Sequence, residues 1–203
     1  MFNLHPFFED CVQMKKTINV FLIFLFLTAC ALSPQTVKID PDLKLPEELS
    51  VIANTRFSLS VTDKRKSPVL GQRGGVYKET AIIKTEGDIT EKIRLNLIPL
   101  FEKAGYNIDK SAATRMNIVI VELTYQGYGE HRISEVEVTA KVSVTITSTA
   151  GNISKNFNAS HKQEVLNAPS EEKNAELIND ILSTVIQPVL NDKTLLDYIE
   201  RNQ

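Results

Sequence analysis

The chain has 203 residues, of which 42% are hydrophobic, 24% charged and 7% aromatic, and its 23 lysines and arginines nearly balance 25 aspartates and glutamates at a net charge of -2. This composition is typical of a globular protein and excludes the disordered, collagen-like and disulfide-framework classes. A chain so close to neutral has no broad basic surface, so we expect no nucleic-acid partner.

The N-terminus has the order of a bacterial secretory signal. From Met14 the chain carries two lysines, an apolar run over residues 18–27, and then Thr28-Ala29-Cys30. The run is about half as long as the roughly 20 residues that a helix needs to cross a bilayer, so a permanent membrane span is not expected. We predict that 1–29 is a removed signal peptide whose natural start is Met14, with 1–13 as an upstream extension.

The four residues Leu27-Thr28-Ala29-Cys30 resemble a bacterial lipobox, in which the cysteine thiol receives a lipid. The resemblance implies that Cys30 becomes the first mature residue and carries a diacylglycerol and an N-acyl chain, which together anchor a protein more stably than one chain. The alternative is that Cys30 is a small hydrophobic residue in an uncleaved segment. Ala31, in place of the aspartate that favours inner-membrane retention, indicates the outer membrane.

The mature chain is predicted to hold one domain. It has no cysteine besides Cys30, so an apolar core must stabilise it without an internal disulfide. Residues 30–50 contain three prolines among polar residues, which indicates an extended tether behind the lipid. Val37 and Ile39 could instead lie along the domain as a short edge strand, and the sequence leaves both interpretations open. The single periplasmic domain is assigned to 51–203.

Alternation of apolar and polar residues predicts the strands of a sheet. The predicted strands cover 51–62, 76–84, 116–125, 135–146 and 153–165. The fourth strand has the clearest alternation, with one dry face and one wet face. The third strand is apolar at both alternating positions, which is typical of a central strand covered on both faces. Residues 63–75 are predicted to form a loop.

Two main helices are predicted from apolar residues at helical spacing. Asp88 and Ser170 are predicted to cap their first turns, and Glu91 completes a capping-box pattern. Pro99 should bend the first helix, and a short terminal helix follows the second. The order of these elements predicts an α+β fold, in which two main helices pack on one face of a mostly antiparallel sheet.

The chain resembles the YajG family of bacterial lipoproteins along its whole processed length. The resemblance depends on the order and spacing of several short motifs, none of which is specific alone. These motifs are residues 27–30, 60–65, 70–73, 104–106, 169–170 and 190–192. The family's name records a location and no reaction, so the resemblance implies an anchored periplasmic protein and supplies no catalytic residues.

No constellation of residues indicates an enzyme or a metal protein. After processing only His131 and His161 remain, on or near different strands, and no cysteine joins them as a zinc site would require. The glycines at 71–75 lack the Gly-Lys-Ser/Thr ending of a phosphate loop. Glu135 and Glu137 could form a glycosidase-type carboxylate pair, but a solvated strand face is the simpler interpretation. We predict no catalytic residue, no metal and no cofactor beyond the covalent lipid.

Five residues are candidates for binding a partner. Asp63, Arg65 and Arg73 lie in the glycine-containing loop, and surface loops often carry recognition. The alternative is that Asp63 and Arg65 only order the end of a strand. Tyr125 and Tyr128 lie in a predicted turn with two glycines, where they could stack on a sugar or pack on a partner, although a core position is the favoured interpretation for Tyr125.

These observations favour a non-enzymatic lipoprotein of the outer membrane that faces the periplasm and binds an envelope protein as an accessory or assembly subunit. The alternative is a binding module for an envelope glycan or lipid, such as peptidoglycan or lipopolysaccharide, and an enzyme comes third. Changes at Arg65 or Arg73 would test the first hypothesis, and changes at Tyr125 or Tyr128 would test the second.

Overall fold

The structure is a computed structural model that describes residues 32–46, 55–76, 78–129 and 132–202. The predicted signal peptide, Cys30, the start of the first predicted strand and His131 lie outside the described residues. Among the described residues, no helix combines the length and the apolar character needed to cross a membrane.

Within these ranges, eight strands join in one mixed sheet around a long central strand. The strands are β1 (Gln35–Val37), β2 (Arg56–Asp63), β3 (Val69–Gln72), β4 (Ile82–Thr85), β5 (Asn107–Ile108), β6 (Arg115–Tyr128), β7 (Glu135–Ser148) and β8 (Gly151–Glu164). Strand β6 pairs antiparallel with β7 on one side and parallel with β2 and β3 on the other. Strand β8 extends the sheet beyond β7, β4 and β1 extend it beyond β3, and β5 lies beside β2.

The described ranges contain three helices, and the two main ones begin directly after the capping residues predicted from the sequence. The three helices are α1 (Ile89–Lys103), α2 (Glu171–Asn191) and α3 (Lys193–Arg201). The Asp88 carboxylate accepts hydrogen bonds from two backbone amides in the first turn of α1, and Ser170 accepts one from the amide of Lys173. Pro99 lies inside α1 without ending it. The two predicted main helices are therefore confirmed.

The helices pack on one face of the sheet, and the apolar core lies between the two layers. Every even-numbered residue from 136 to 146 on β7 is buried, as its alternation predicts. The rings of Phe57, Phe101 and Tyr106 pack edge to face, with centroids 5.1 to 5.8 Å apart, and join β2 to α1. The α+β class is confirmed, and in the described ranges the opposite face of the sheet has no helix on it.

The sheet is mixed, whereas the sequence predicts one that is mostly antiparallel. The difference arises because β2 and β3 both run parallel to β6. Parallel neighbours need a crossover connection, and the stretch that contains α1 supplies it between β2 and β6. A pattern of alternating residues carries no information about strand direction, so this pairing was not predictable from it.

Strand β6 is not covered on both faces, which corrects the interpretation of its double apolar pattern. Its register with β7 shifts between Ile120 and Glu122, so that Val121 forms a β-bulge. Ile120 and Leu123 are both buried although they are three residues apart. The bulge thus moves the inward face from even-numbered to odd-numbered positions and leaves Val121 41% exposed.

Residues 32–46 pack on the domain. Strand β1 pairs with β4, and Val37 and Ile39 are buried in the core. The side chains of Asn179 and Gln187 on α2 form hydrogen bonds with the backbone that follows β1. Of the two interpretations that the sequence leaves open, the edge strand is the one that holds for these residues.

Candidate functional site

Asp63 and Arg65, at the end of β2, form an internal ion pair. Arg65 donates from Nε and Nη2 to the two carboxylate oxygens of Asp63 at 3.0 and 2.8 Å, and its backbone amide donates to Oδ1 at 2.9 Å. The Arg65 side chain is only 7% exposed, and its Nη1 has no hydrogen-bond partner among the described residues. This geometry favours a role in ordering the end of the strand.

A concavity of about 240 Å³ lies between this ion pair and the start of α1. Helix N-termini attract anions because their first backbone amides lack partners within the helix. Here the carboxylate of Asp88 already accepts hydrogen bonds from two of those amides. The concavity therefore contains the negative charges of Asp63 and Asp88 beside the positive charges of Arg65 and Lys66 and presents no clear anion site.

Arg73 lies inside the domain and does not face solvent. Its Nη1 donates to the carbonyl oxygen of Ser33 at 2.7 Å, and its Nη2 donates to the carbonyl oxygen of Pro169 at 3.1 Å. Burial lowers the pKa of the guanidinium, and the nearby Tyr125 and Glu171 oppose that shift. An arginine remains charged at neutral pH under such conditions. Arg73 therefore fastens the N-terminal segment to the start of α2.

Tyr125 is a core residue linked to the same region. Its hydroxyl donates to Asn174 Oδ1 at 2.6 Å, and Asn174 Nδ2 donates to Gln35 Oε1 at 2.7 Å. Burial raises the pKa of the Tyr125 hydroxyl, which keeps it neutral. Arg73 joins this chain of hydrogen bonds, because Arg73 and Asn174 both donate to the carbonyl of Pro169. We call Gln35, Arg73, Tyr125 and Asn174 the buried polar network.

Tyr128 is the candidate tyrosine that a ligand can reach, since it is 40% exposed at the end of β6. Its hydroxyl donates to Glu137 Oε2 at 2.9 Å, and Lys162 Nζ lies 5.4 Å from the ring centroid. Lys162 also forms ion pairs with Glu135 and Glu137. The hydrogen bond from Tyr128 is the main cause of the lowered pKa of Glu137. These residues form a surface cluster with one positive and two negative charges.

The five candidate binding residues do not form one site. Asp63 and Arg65 order the end of β2, whereas Tyr128 lies on the surface near the end of β6. Arg73 and Tyr125 are buried, so we correct their assignment from partner binding to stabilisation of the domain. Residues 125–128 also belong to β6, whereas a turn is predicted there from the sequence.

The helix-free face of the sheet carries a surface that is not among the sites predicted from the sequence. A concavity of about 550 Å³ crosses β2, β6, β7 and β8 on this face. We call it the outer sheet face and define it by Lys64, Asn117, Val119, Val121, Lys141 and Asn156, with hydroxyl side chains of β7 between them. The alternation on β7 indicates a polar face, but only the strand order brings Lys64 and Val121 beside it.

The outer sheet face combines cationic, polar and apolar side chains that have few partners of their own. Neither Lys64 nor Lys141 forms an ion pair with a described residue. Ser60 and Thr62 both donate to Asn117 Oδ1 at 3.1 Å, which fixes the orientation of that amide. Val121 adds an exposed apolar side chain. This chemistry suits a protein or glycan contact better than a reaction.

The geometry of the described residues indicates no reaction. They contain no group of three or more His, Cys, Asp or Glu side chains placed to hold a metal ion. His161 is exposed on β8. Glu135 and Glu137, the candidate carboxylate pair, both bind Lys162 and lie on the solvated face.

Comparisons with known proteins agree on a family. Residues 41–200 match the model of a family described as uncharacterized lipoprotein. The uncharacterized lipoprotein YajG of Escherichia coli K12 and that of E. coli O6:H1 are each 24% identical to this chain over 197 residues, covering 94% of this chain and 99% of theirs. The crystal structure of protein XCC0632 from Xanthomonas campestris has a TM-score of 0.59 at 10% identity, covering 80% of this chain and 96% of that one. The likeness to this structure concerns the fold alone.

Proposed function

The chain belongs to this family of bacterial lipoproteins, as its resemblance to the YajG family indicated, and from that premise we propose that it is a non-enzymatic accessory protein that binds an envelope protein through its outer sheet face. As a lipoprotein it is a membrane-anchored protein of the cell envelope. We propose that the anchor is a lipid on Cys30, that Ala31 directs it to the outer membrane, and that the domain faces the periplasm.

The observation that carries this proposal is the contrast between the two faces of the sheet. Helices α1 and α2 cover one face and bury its apolar residues. The other face has no helix in the described ranges and leaves Val121 exposed beside Lys64 and Lys141. A single exposed valine is ordinary on a protein surface, but here it lies in a concavity beside two lysines that have no counter-ion among the described residues, and this combination supports a protein contact.

The charge of this face suggests the chemistry of the partner. Two lysines that have no counter-ion among the described residues would be complemented by carboxylates on the partner. The hydroxyl and amide groups between them can bond a backbone or polar side chains. We therefore propose that the partner presents an acidic surface segment to the outer sheet face.

Co-purification of the full-length lipidated protein from detergent-solubilised envelopes tests this binding surface. A variant with Lys64→Glu and Lys141→Glu is compared with Lys92→Glu, which changes an exposed lysine on α1. We expect a defined envelope protein to co-purify with the wild type and the Lys92→Glu variant and to be absent from the double variant. Equal recovery with all three proteins would contradict the proposed surface.

The anchor is tested separately, by labelling cells with a radioactive fatty acid and separating their membranes. We expect the wild-type protein to carry label and to sediment with the outer membrane. The Cys30→Ala variant should carry no label and should not follow the mature protein to that membrane. Labelling that persists in Cys30→Ala would refute lipid attachment at this residue.

A second candidate function is the binding of an envelope glycan or lipid headgroup. It is favoured by the hydroxyl and amide side chains along the outer sheet face, because such groups bond sugar hydroxyls. Tyr128 lies on the same side of the sheet and is exposed. Saturable binding of the soluble domain to purified peptidoglycan or lipopolysaccharide, weakened by Tyr128→Ala, would favour this function over a protein partner.

A further inference from the structure

We propose that one end of the domain lies directly against the membrane, with Leu166 and Val76 in contact with the phospholipid surface. This inference rests on the proposed lipid anchor at Cys30. It goes beyond anchoring, because a lipidated protein on a long tether would have no fixed contact between its domain and the bilayer. The structure instead points to a short connection and to a particular end of the domain.

The short connection follows from the contact between Arg73 and Ser33. Ser33 is three residues after Cys30, and the buried guanidinium of Arg73 holds its carbonyl at 2.7 Å. A chain spans at most about 3.5 Å per residue, so the lipidated residue lies within about 10 Å of Ser33. The domain therefore cannot move far from the bilayer while this hydrogen bond and β1 remain in place.

Hydrogen bonds join four chain segments at this same end of the domain. Arg73 binds Ser33 and also Pro169, which precedes α2. Arg132 Nε donates to the carbonyl of Leu166 at 2.7 Å. The backbone amide of residue 75 donates to the carbonyl of residue 129 at 3.0 Å. We call residues 32–34, 73–76, 132–134 and 165–170 the anchor-side end.

The anchor-side end carries the two most exposed large hydrophobic residues of the described chain. Leu166 is 76% exposed and Val76 is 60% exposed. Single exposed hydrophobic residues are ordinary on protein surfaces. Here Val76 and Leu166 belong to the segments that are hydrogen-bonded, through Arg73, to the stretch just after Cys30. A lipid on Cys30 would therefore place these two side chains close to the bilayer. A phospholipid surface is therefore the occupant that fits their position.

The charges at this end indicate an apolar contact. Arg132 and Leu166 line a concavity of about 570 Å³ together with Glu135 and Glu164. Arg132 forms no ion pair with a described residue, and its Nε donates to the carbonyl of Leu166. With one positive and two negative side chains, this concavity has no excess of positive charge. The contact should therefore persist in high salt, unlike a polybasic attachment.

The absence of tryptophan from the whole chain allows a direct test. Leu166→Trp and Val76→Trp each place one fluorophore at the anchor-side end, and Leu95→Trp places one on α1 beside residues 40–43. The full-length lipidated variants are reconstituted into vesicles of phosphatidylethanolamine and phosphatidylglycerol, with and without bromine on the acyl chains. Bromine quenches tryptophan only at close range, so loss of fluorescence reports contact with the bilayer.

We expect brominated vesicles to quench Trp fluorescence in Leu166→Trp and Val76→Trp at both low and high salt, and to leave Leu95→Trp unchanged. Vesicle flotation is measured in the same samples. Protein that floats with vesicles but shows no quenching at 166 or 76 would overturn this inference and leave the anchor intact. Protein that does not float would refute the anchor itself. Equal quenching of all three variants would also overturn the inference, since it would indicate no preferred orientation.

Discussion

The guanidinium of Arg73 donates a hydrogen bond to the carbonyl oxygen of Ser33 at 2.7 Å, across 40 residues of sequence. Ser33 lies at the start of the described chain, so this contact makes the N-terminal segment part of the domain. Strand β1 and the α2 side chains Asn179 and Gln187 extend the attachment to the residues that follow. The stretch from Ser33 to Lys44 is therefore held against the domain by hydrogen bonds.

Arg73→Met should loosen this connection and destabilise the domain. It leaves the carbonyls of Ser33 and Pro169 without their charged donor, which costs about 2–4 kcal/mol in the free energy of unfolding. Urea unfolding measures that loss, and hydrogen exchange at 33–37 should accelerate more than exchange in β7. Arg132→Met, which removes an exposed arginine, is the matched control and should change stability little. Equal exchange in wild type and Arg73→Met would contradict the fastening role.

Tyr125→Phe should destabilise the domain by about 1–2 kcal/mol, because it removes a hydrogen bond and leaves Asn174 Oδ1 buried without a donor. Tyr128→Phe removes an exposed hydroxyl and should cost less than about 0.5 kcal/mol. Thermal or urea unfolding of the two variants provides the comparison. If Tyr128→Phe were the more damaging change, Tyr125 would not belong to a buried network as described.

Gly127→Ala should damage the pairing of β3 with β6. An added Cβ at this position would lie 2.2 Å from the carbonyl oxygen of Arg73, which is backbone and cannot rotate away. We expect a loss of more than about 2 kcal/mol in unfolding free energy. Gly87→Ala is the control: its Cβ would meet no atom within 4 Å, so only its positive φ is strained, at about 1 kcal/mol. Similar losses in both variants would argue against the close approach at Gly127.

Asp192 should make part of the stability depend on pH. Burial alone would raise the pKa of its carboxyl, but hydrogen bonds from Lys155 Nζ at 2.7 Å and from the amide of Leu195 outweigh burial and lower it. A carboxyl with a lowered pKa in the folded state stabilises above its unfolded pKa of about 3.9, and this stabilisation is lost as pH falls through the folded value.

Asp192→Asn should therefore be less stable than the wild type at pH 7, by about 1 kcal/mol for the lost ion pair with Lys155, since asparagine can cap α3 as aspartate does. Its stability should also fall less steeply than the wild-type stability between about pH 5 and pH 2. Asp197→Asn, which changes an exposed carboxyl, should follow the wild-type curve. If the unfolding free energies of wild type and Asp192→Asn changed in parallel with pH, protonation of this carboxyl would not contribute to the pH dependence of stability.

Much of the fold could be predicted because it depends on local signals. The capping residues Asp88 and Ser170 mark the helix starts, and strict alternation identifies β7 from Glu135 to Ile146, two residues short of its end. Strand β3 was missed because its four residues, which include Gly71, have the composition of a loop. The bulge at Val121 was missed because one extra residue in a strand resembles a strand that is apolar on both faces.

The candidate site was harder to predict, because it depends on contacts between distant segments. Arg73 is a charged residue in a glycine-containing stretch, so the sequence predicts an exposed loop position. It is buried because it donates to the carbonyls of Ser33 and Pro169, which are distant from it in sequence. The outer sheet face brings Lys64 and Lys141 together across β6, although 77 positions separate them in sequence. No periodicity in one strand reveals which strand lies beside it, and that information decides which side chains form a surface.

Photocrosslinking in living cells, with a photoreactive amino acid at Val121, at Leu166 or at Leu95 of the full-length protein, tests the outer sheet face as the binding surface most directly. We expect a single protein adduct from Val121, a lipid adduct from Leu166, and neither from Leu95. We also expect the Val121 adduct to disappear when Lys64 and Lys141 are both changed to glutamate. Protein adducts of equal yield from Val121 and Leu95 would contradict the assignment of the outer sheet face as the binding surface.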